Sequence, residues 1–307
     1  VSEDDIVTQD GDSVTIDNEI ATAAENQETV EVYVRLDAAA SRNGESLDAE
    51  SATALKQEAE STQTSLRALG ELNDNVEIKS SFWLDNAALV EIDTSEVSLQ
   101  DLARIDGVVE LHPNYEIDRI DPTVTPGNEI ADGEPYTYGV EQVNAPEFWE
   151  AFDTRGENAS IAIVDTGINP DHEAFPDYNE SNWAQFDFDG NEIDSEPFDD
   201  NGHGTHVAGT AAGGNASGTA IGVAPEAELY SINVFPNPGG GTTLAAIAAG
   251  MEHAVEEDID VANFSLGGGG FASIYVDVIE NALEAGTLIV ATSGNSGPNS
   301  TGTPGNV

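Results

Sequence analysis

The chain has 307 residues, with 59 acidic side chains against 8 basic ones, a net charge of −51 and no cysteine. That length fits about two domains with ample core, and the lack of cysteine excludes disulfides and thiol catalysis. Acidity on this scale repels nucleic acid and anionic membranes, so neither is expected as a partner, and no stretch approaches the ~20 apolar residues of a membrane span.

Two readings of the acidity compete. High charge favours disorder, but the apolar strands and small-residue helices of residues 136–307 oppose it. A folded protein built for high salt is the expectation, because at molar salt the Debye length is only ~3 Å and self-repulsion is screened. The absence of any Lys or Arg after Arg155 fits it.

Residues 1–28 are polar and acidic and read as a flexible leader. The start, Val1-Ser-Glu-Asp-Asp, reads as trimmed, with no signal peptide visible. Residues 29–121 read as a small α+β domain. Alternation predicts a strand over 30–36, and Leu55, Ala59, Thr62, Leu66 and Leu69 predict one helix over 48–69. Strands follow over 76–84 and 88–92, with Asp85-Asn86 as the turn. Thr94 or Ser95 is expected to cap a short helix holding Val97, Leu99, Leu102 and Ile105, and a strand over 107–111 closes the unit. The order βαββαβ is the ferredoxin-like arrangement. Residues 122–135, rich in Pro and Gly, read as a linker.

From residue 136 strands and helices alternate. Pro146 fits the first turn of a helix over 147–152. Apolar strands are predicted over 161–164, 228–234, 261–264 and 287–292, with amphipathic helices over 243–257 and 272–285. The fold class is therefore α/β, a parallel sheet with helices on both faces. Asp165, Ser265 and Asn295 fall just beyond strand carboxyl ends, where such sheets carry their sites.

The centre of this half is Asp200-Asn-Gly-His203-Gly-Thr-His206-Val-Ala-Gly209. Glycines on both sides of His203 let a backbone or substrate approach the ring. A histidine is the natural base near neutral pH. Alone, the stretch is equally a helix-capping loop with a satisfied histidine. Two other stretches change that: Ile161-Ala-Ile-Val-Asp165-Thr-Gly167 and Leu288-Ile-Val-Ala-Thr292-Ser-Gly294-Asn295. With Gly222-Val-Ala-Pro225, Gly239-Gly-Gly241 and Ser265-Leu-Gly-Gly268 in the same order, residues 136–307 resemble the subtilisin family of serine proteases.

The resemblance implies a secreted serine endopeptidase precursor acting on polypeptides. Asp165 is then the orienting carboxylate, His203 the base and the Asn295 amide the oxyanion donor. Gly239, Gly240, Gly241 and Ser265, Leu266, Gly267 would flank the substrate backbone, and Thr292, Ser293 and Gly294 would form part of the wall of the specificity pocket. The domain over 29–121 resembles the family's propeptide, an intramolecular inhibitor whose tail, 112–117, would lie across the cleft. His206 reads as structural, and His172 and His253 as surface residues.

One departure stands out. The family's nucleophile lies in a Gly-Thr-Ser motif beyond the oxyanion asparagine, and no such motif occurs in this sequence. The catalytic domain is expected to lack its C-terminal part, and the chain to be near-inactive alone. The alternative is a catalytically inactive, peptide-binding homologue; an acidic binding protein without protease ancestry is a third reading. No cofactor is expected for catalysis. Asp187, Asp189 and Asp194 read either as a structural calcium loop or as salt-adapted acidic surface.

Overall fold

The structure, a computed structural model, describes residues 3–7, 13–37, 51–117, 134–237, 239–269, 274–295, 297 and 301–306. The first half contains β1 (Glu3–Val7), β2 (Ser13–Asp17), α1 (Asn18–Asn26), β3 (Thr29–Leu36), α2 (Ser51–Thr62), α3 (Thr64–Leu72), β4 (Val76–Phe82), β5 (Ala87–Asp93), α4 (Leu99–Ala103), β6 (Val108–His112) and β7 (Glu116–Ile117). Its sheet runs β1-β2-β6-β3-β5-β4. The four strands β3 to β6 with their helices follow the expected βαββαβ order.

Three local expectations are corrected. Residues 13–26 are not a flexible leader. Val14, Ile16 and Ile20 are buried in the same core as Val32 and Leu111, so this segment adds a strand and a helix to the unit. The single helix predicted over 48–69 is two helices, with residues 48–50 outside the described set. They break at Gln63, whose buried amide donates to the carbonyls of Phe82 and Ala87 at 3.0 and 3.3 Å. The cap of α4 is Ser98, not Thr94 or Ser95. Ser98 forms a reciprocal capping box with Asp101, which satisfies two donors that an uncapped helix leaves bare. The predicted linker over 122–135 lies outside the described residues up to 133.

The second half contains α5 (Tyr138–Gln142), α6 (Ala145–Phe152), β8 (Ser160–Asp165), β9 (Trp183–Gln185), α7 (His203–Ala212), β10 (Glu228–Asn233), β11 (Thr242–Thr243), α8 (Leu244–Glu256), β12 (Val261–Phe264), β13 (Gly268–Gly269), α9 (Ile274–Glu284), β14 (Leu288–Ala291) and β15 (Gly302–Thr303). Five strands form a parallel sheet in the order β14-β12-β8-β10-β9. Alternation divides its side chains between two faces. Ile163 and Leu229 pack with Ala208 and Ala212 of α7. Ala162, Val164 and Ile232 pack with α8 and α9. This is the parallel α/β sheet, covered on both faces, that the apolar runs imply.

The two halves share a core. The N-terminal sheet turns Tyr33, Phe82, Leu84 and Leu89 toward Ala245, Met251, Tyr275 and Val278 of α8 and α9. Polar contacts fix the docking. Glu252 accepts from the Leu84 N–H at 2.7 Å, and the Asn281 amide donates to the Leu84 carbonyl at 2.6 Å. Arg35 reaches Asp277 at 3.0 Å and Lys56 reaches Glu256 at 2.6 Å. Strand β7 pairs antiparallel with β11.

Candidate active site

Asp165 closes β8 and His203 opens α7, so both stand at the carboxyl edge of the parallel sheet. Helix α7 reaches that edge because glycine permits it. A Cβ on Gly204 would collide with the Gly167 carbonyl oxygen, and Gly202 takes the left-handed φ of +86° that begins the helix. His203 Nδ1 and Asp165 Oδ1 are 2.7 Å apart, with side-chain exposures of 17% and 1%. A bond this short to a buried carboxylate fixes the ring. Asp165 Oδ1 also accepts from the Thr166 N–H at 2.7 Å.

A second carboxylate, which the sequence reading missed, builds the entry to the helix. Asp199 Oδ1 accepts from the N–H groups of Asn201 and Gly202 and from the Thr166 hydroxyl. Its Oδ2 accepts from the Thr205 N–H at 2.8 Å and the Thr205 hydroxyl at 2.6 Å. Burial works to raise its pKa, but the bonds from Thr205, Gly202 and Asn201 outweigh burial and hold it below the usual carboxylate value. The signal in the sequence is an Asp at the approach to a Gly-flanked helix start.

The other expected residues follow the carboxyl ends of neighbouring strands. Ser265, Leu266 and Gly267 leave β12; Leu266 is buried, and Ser265 Oγ accepts from the Asn263 amide at 2.9 Å. The next residues, β13, pair with β15. Thr292, Ser293, Gly294 and the exposed Asn295 leave β14, with Gly294 at φ +94°. Gly302 donates to the Ser293 carbonyl at 2.9 Å, so residues 301–306 fold back over this run. Gly239, Gly240 and Gly241 lead directly into β11, whose main chain is paired with β7. Asp165 and His203 are thus brought into contact, and the runs 265–267 and 292–295 leave the carboxyl ends of β12 and β14 in the same sheet.

Asp187 and Asp189 lie in one acidic turn, with Asp194 just beyond it. Asp187 Oδ1 is taken by the N–H groups of Asp189 and Asn191 at 3.0 and 2.8 Å, which closes a turn on itself. Among the described residues no group of three or more His, Cys, Asp or Glu side chains could hold a metal. The turn also docks on the N-terminal half. The Phe188 carbonyl accepts from the Asn114 amide at 3.0 Å, and a Cβ on Gly190 would meet the Phe82 ring at 2.8 Å. His206 lies on α7. His172 is exposed and accepts from the Ala174 N–H at 3.1 Å, whereas His253 is half-buried, with its ring edge-on to Phe186. No helix among the described residues is long and apolar enough to cross a membrane.

Residues 156–307 match the subtilase family. The major intracellular serine protease of Bacillus subtilis (strain 168) is 36% identical over 184 residues, 60% of this chain and 56% of that protein. The M-protease of Shouchella clausii (strain KSM-K16) is 37% identical over 204 residues, 64% of this chain and 50% of that protein. Subtilisin E of Bacillus subtilis (strain 168) is 37% identical over 173 residues, 55% of this chain and 42% of that protein. The chain spans about half the length of the curated relatives it matches. With the paired Asp165 and His203 at its sheet edge, this chain belongs, through residues 156–307, to the subtilase family.

Proposed function

We propose that the protein is a serine endopeptidase, with His203 as general base and Asp165 as the carboxylate that orients it. The observation that carries this reading is the 2.7 Å contact between His203 Nδ1 and a carboxylate that is 1% exposed. With its Nδ1 proton donated to Asp165, the ring presents Nε2 as the acceptor for a serine proton. The carboxylate then stabilises the imidazolium that forms, and the ring returns the proton to the leaving amine. Asn295 would donate to the oxyanion, a role supported by its place beyond β14 on the same edge. Gly239–Gly241 and Ser265–Gly267 would receive a peptide as an added strand.

The N-terminal half is read as an intramolecular inhibitor. Supporting this, β7 takes the main-chain partner of β11, immediately after Gly239–Gly241. No cofactor takes part. The acidity is read as adaptation to high salt. Residues 1–307 carry no Gly-Thr-Ser motif, so these residues alone are expected not to turn over substrate.

Serine-directed fluorophosphonate labelling of the native protein in molar salt tests the reading, with a His203→Ala variant beside it. Labelling at a serine of a Gly-Thr-Ser motif is expected, falling by about 10⁴-fold or more in rate in the variant. Equal labelling in both proteins would overturn the assignment of His203.

A further inference from the structure

The pairing of Asp165 with His203 leaves half of the carboxylate unexplained. Asp165 Oδ1 takes the bonds from both His203 Nδ1 and the Thr166 N–H. Asp165 Oδ2 is buried and has no hydrogen-bond partner. An ionised oxygen left so is costly, and native structures rarely tolerate it.

A donor in the same condition lies on the next strand. Asn233 closes β10 directly opposite Asp165 in the parallel register. Residues opposite one another in such a pair turn their side chains to the same face. Here it is the face of Ile163 and Leu229, packed on α7. Asn233 is wholly buried. Its Oδ1 accepts from the Phe235 N–H at 2.8 Å, which fixes which end of the amide is oxygen. Its Nδ2 is buried and has no acceptor.

A residue with an orphaned acceptor and one with an orphaned donor thus stand opposite each other, on one face of one strand pair. We infer that the Asn233 side-chain amide is the second donor to the Asp165 carboxylate. This makes Asn233 a positioning residue: it holds the carboxylate so that Oδ1 stays aimed at the ring. The inference rests on the reading of Asp165 and His203 given above. A rival donor exists on the other flank. Asn263 pairs with Ile163, so Ser265 follows on β12 at the level of Asp165, and its hydroxyl has a proton to give.

The test is proton NMR of the 307-residue chain, labelled with ¹⁵N-histidine, in molar salt. It follows the Nδ1 proton of His203, identified among five histidines by its loss in His203→Ala. Asn233→Leu is expected to move this resonance and to speed its exchange with water about tenfold, the loss of one hydrogen bond to a charged group. If Asn233→Leu does not fold, Asn233→Ser and Asn233→Ala decide: only the serine, which keeps a donor, should stay near wild type. An unchanged resonance in Asn233→Leu, equal behaviour of the Ser and Ala variants, or a shift caused by Ser265→Ala alone overturns the inference while leaving the Asp165–His203 pair intact. A resonance indifferent to Asp165→Asn removes the pair itself, and the inference with it.

Discussion

At the scale of the residue, the site divides into what neighbours in sequence determine and what neighbours in space determine. Asp199 belongs to the first kind. Its two oxygens hold the approach to α7 through Asn201, Gly202 and Thr205. Asp199→Ala strands those donors and frays the helix start that carries His203. A loss of about 2 kcal/mol or more in unfolding free energy is expected, since hydrogen bonds to a charged group are the stronger class. Because folding holds the pKa of Asp199 down, its contribution is complete above the ordinary carboxylate value and fades as pH falls below it. Urea unfolding of both chains at pH 7 and pH 3 checks this: the gap between them should narrow at low pH. Asp165 and His203 were legible because each is framed by glycine and by an apolar run of its own element. Asn233 was not. Nothing around it in sequence marks it, and its place opposite Asp165 arises only when β10 and β8 pair.

Elements were legible where periodicity acts alone and less so where a side chain from elsewhere intervenes. Strands β8, β10, β12 and β14 lie within a residue or two of their expected ends, because a buried parallel strand is an apolar run. Gln63 divides α2 from α3 because its amide is called to the β4–β5 turn, a contact that helical spacing cannot reveal. In the acidic run at Asp187, Asp187 Oδ1 closes a turn and the Phe188 carbonyl meets Asn114 of the N-terminal half, contacts that composition alone does not reveal. The same kind of contact governs Glu252 on α8. Burial against the β4–β5 turn pushes its carboxyl up to about 8, against the opposing bond from the Leu84 N–H. Between its ordinary value of 4.5 and about 8, the folded chain keeps a proton that the unfolded chain has released. Stability therefore falls as pH rises through that window. Asp85, pushed up to about 6 chiefly by burial, adds the same trend over its lower part. Glu252→Gln keeps an acceptor for Leu84 and removes the charge. The variant should gain on wild type steadily from pH 5 to pH 8 in urea midpoints, and parallel pH profiles would refute the account.

Over the whole molecule, charge is the term that local contacts do not offset. All eight basic side chains lie at or before Arg155, so the parallel-sheet half is almost purely acidic. The pairs that bridge the halves, Arg35 with Asp277 and Lys56 with Glu256, are partly exposed at one or both ends, and such pairs contribute only about 0–1 kcal/mol each. They orient the docking rather than balance a net charge of −51. Self-repulsion is then left to the solvent, and at molar salt the screening length shrinks to ~3 Å. Cooperative unfolding is expected above about 1 M potassium chloride and should be lost, with the far-ultraviolet ellipticity, in dilute buffer. Salt could also act by strengthening burial of apolar surface, which would not depend on the sign of surface groups. Charge reversal separates the two. Glu141, Glu150, Glu173 and Glu284 are exposed, and replacing all four by lysine moves the net charge from −51 to −43, two units for each. If repulsion sets the salt requirement, the midpoint for folding must fall to lower salt in this variant. An unchanged midpoint would mean that salt acts through the core, and that the acidity serves something other than stability in brine.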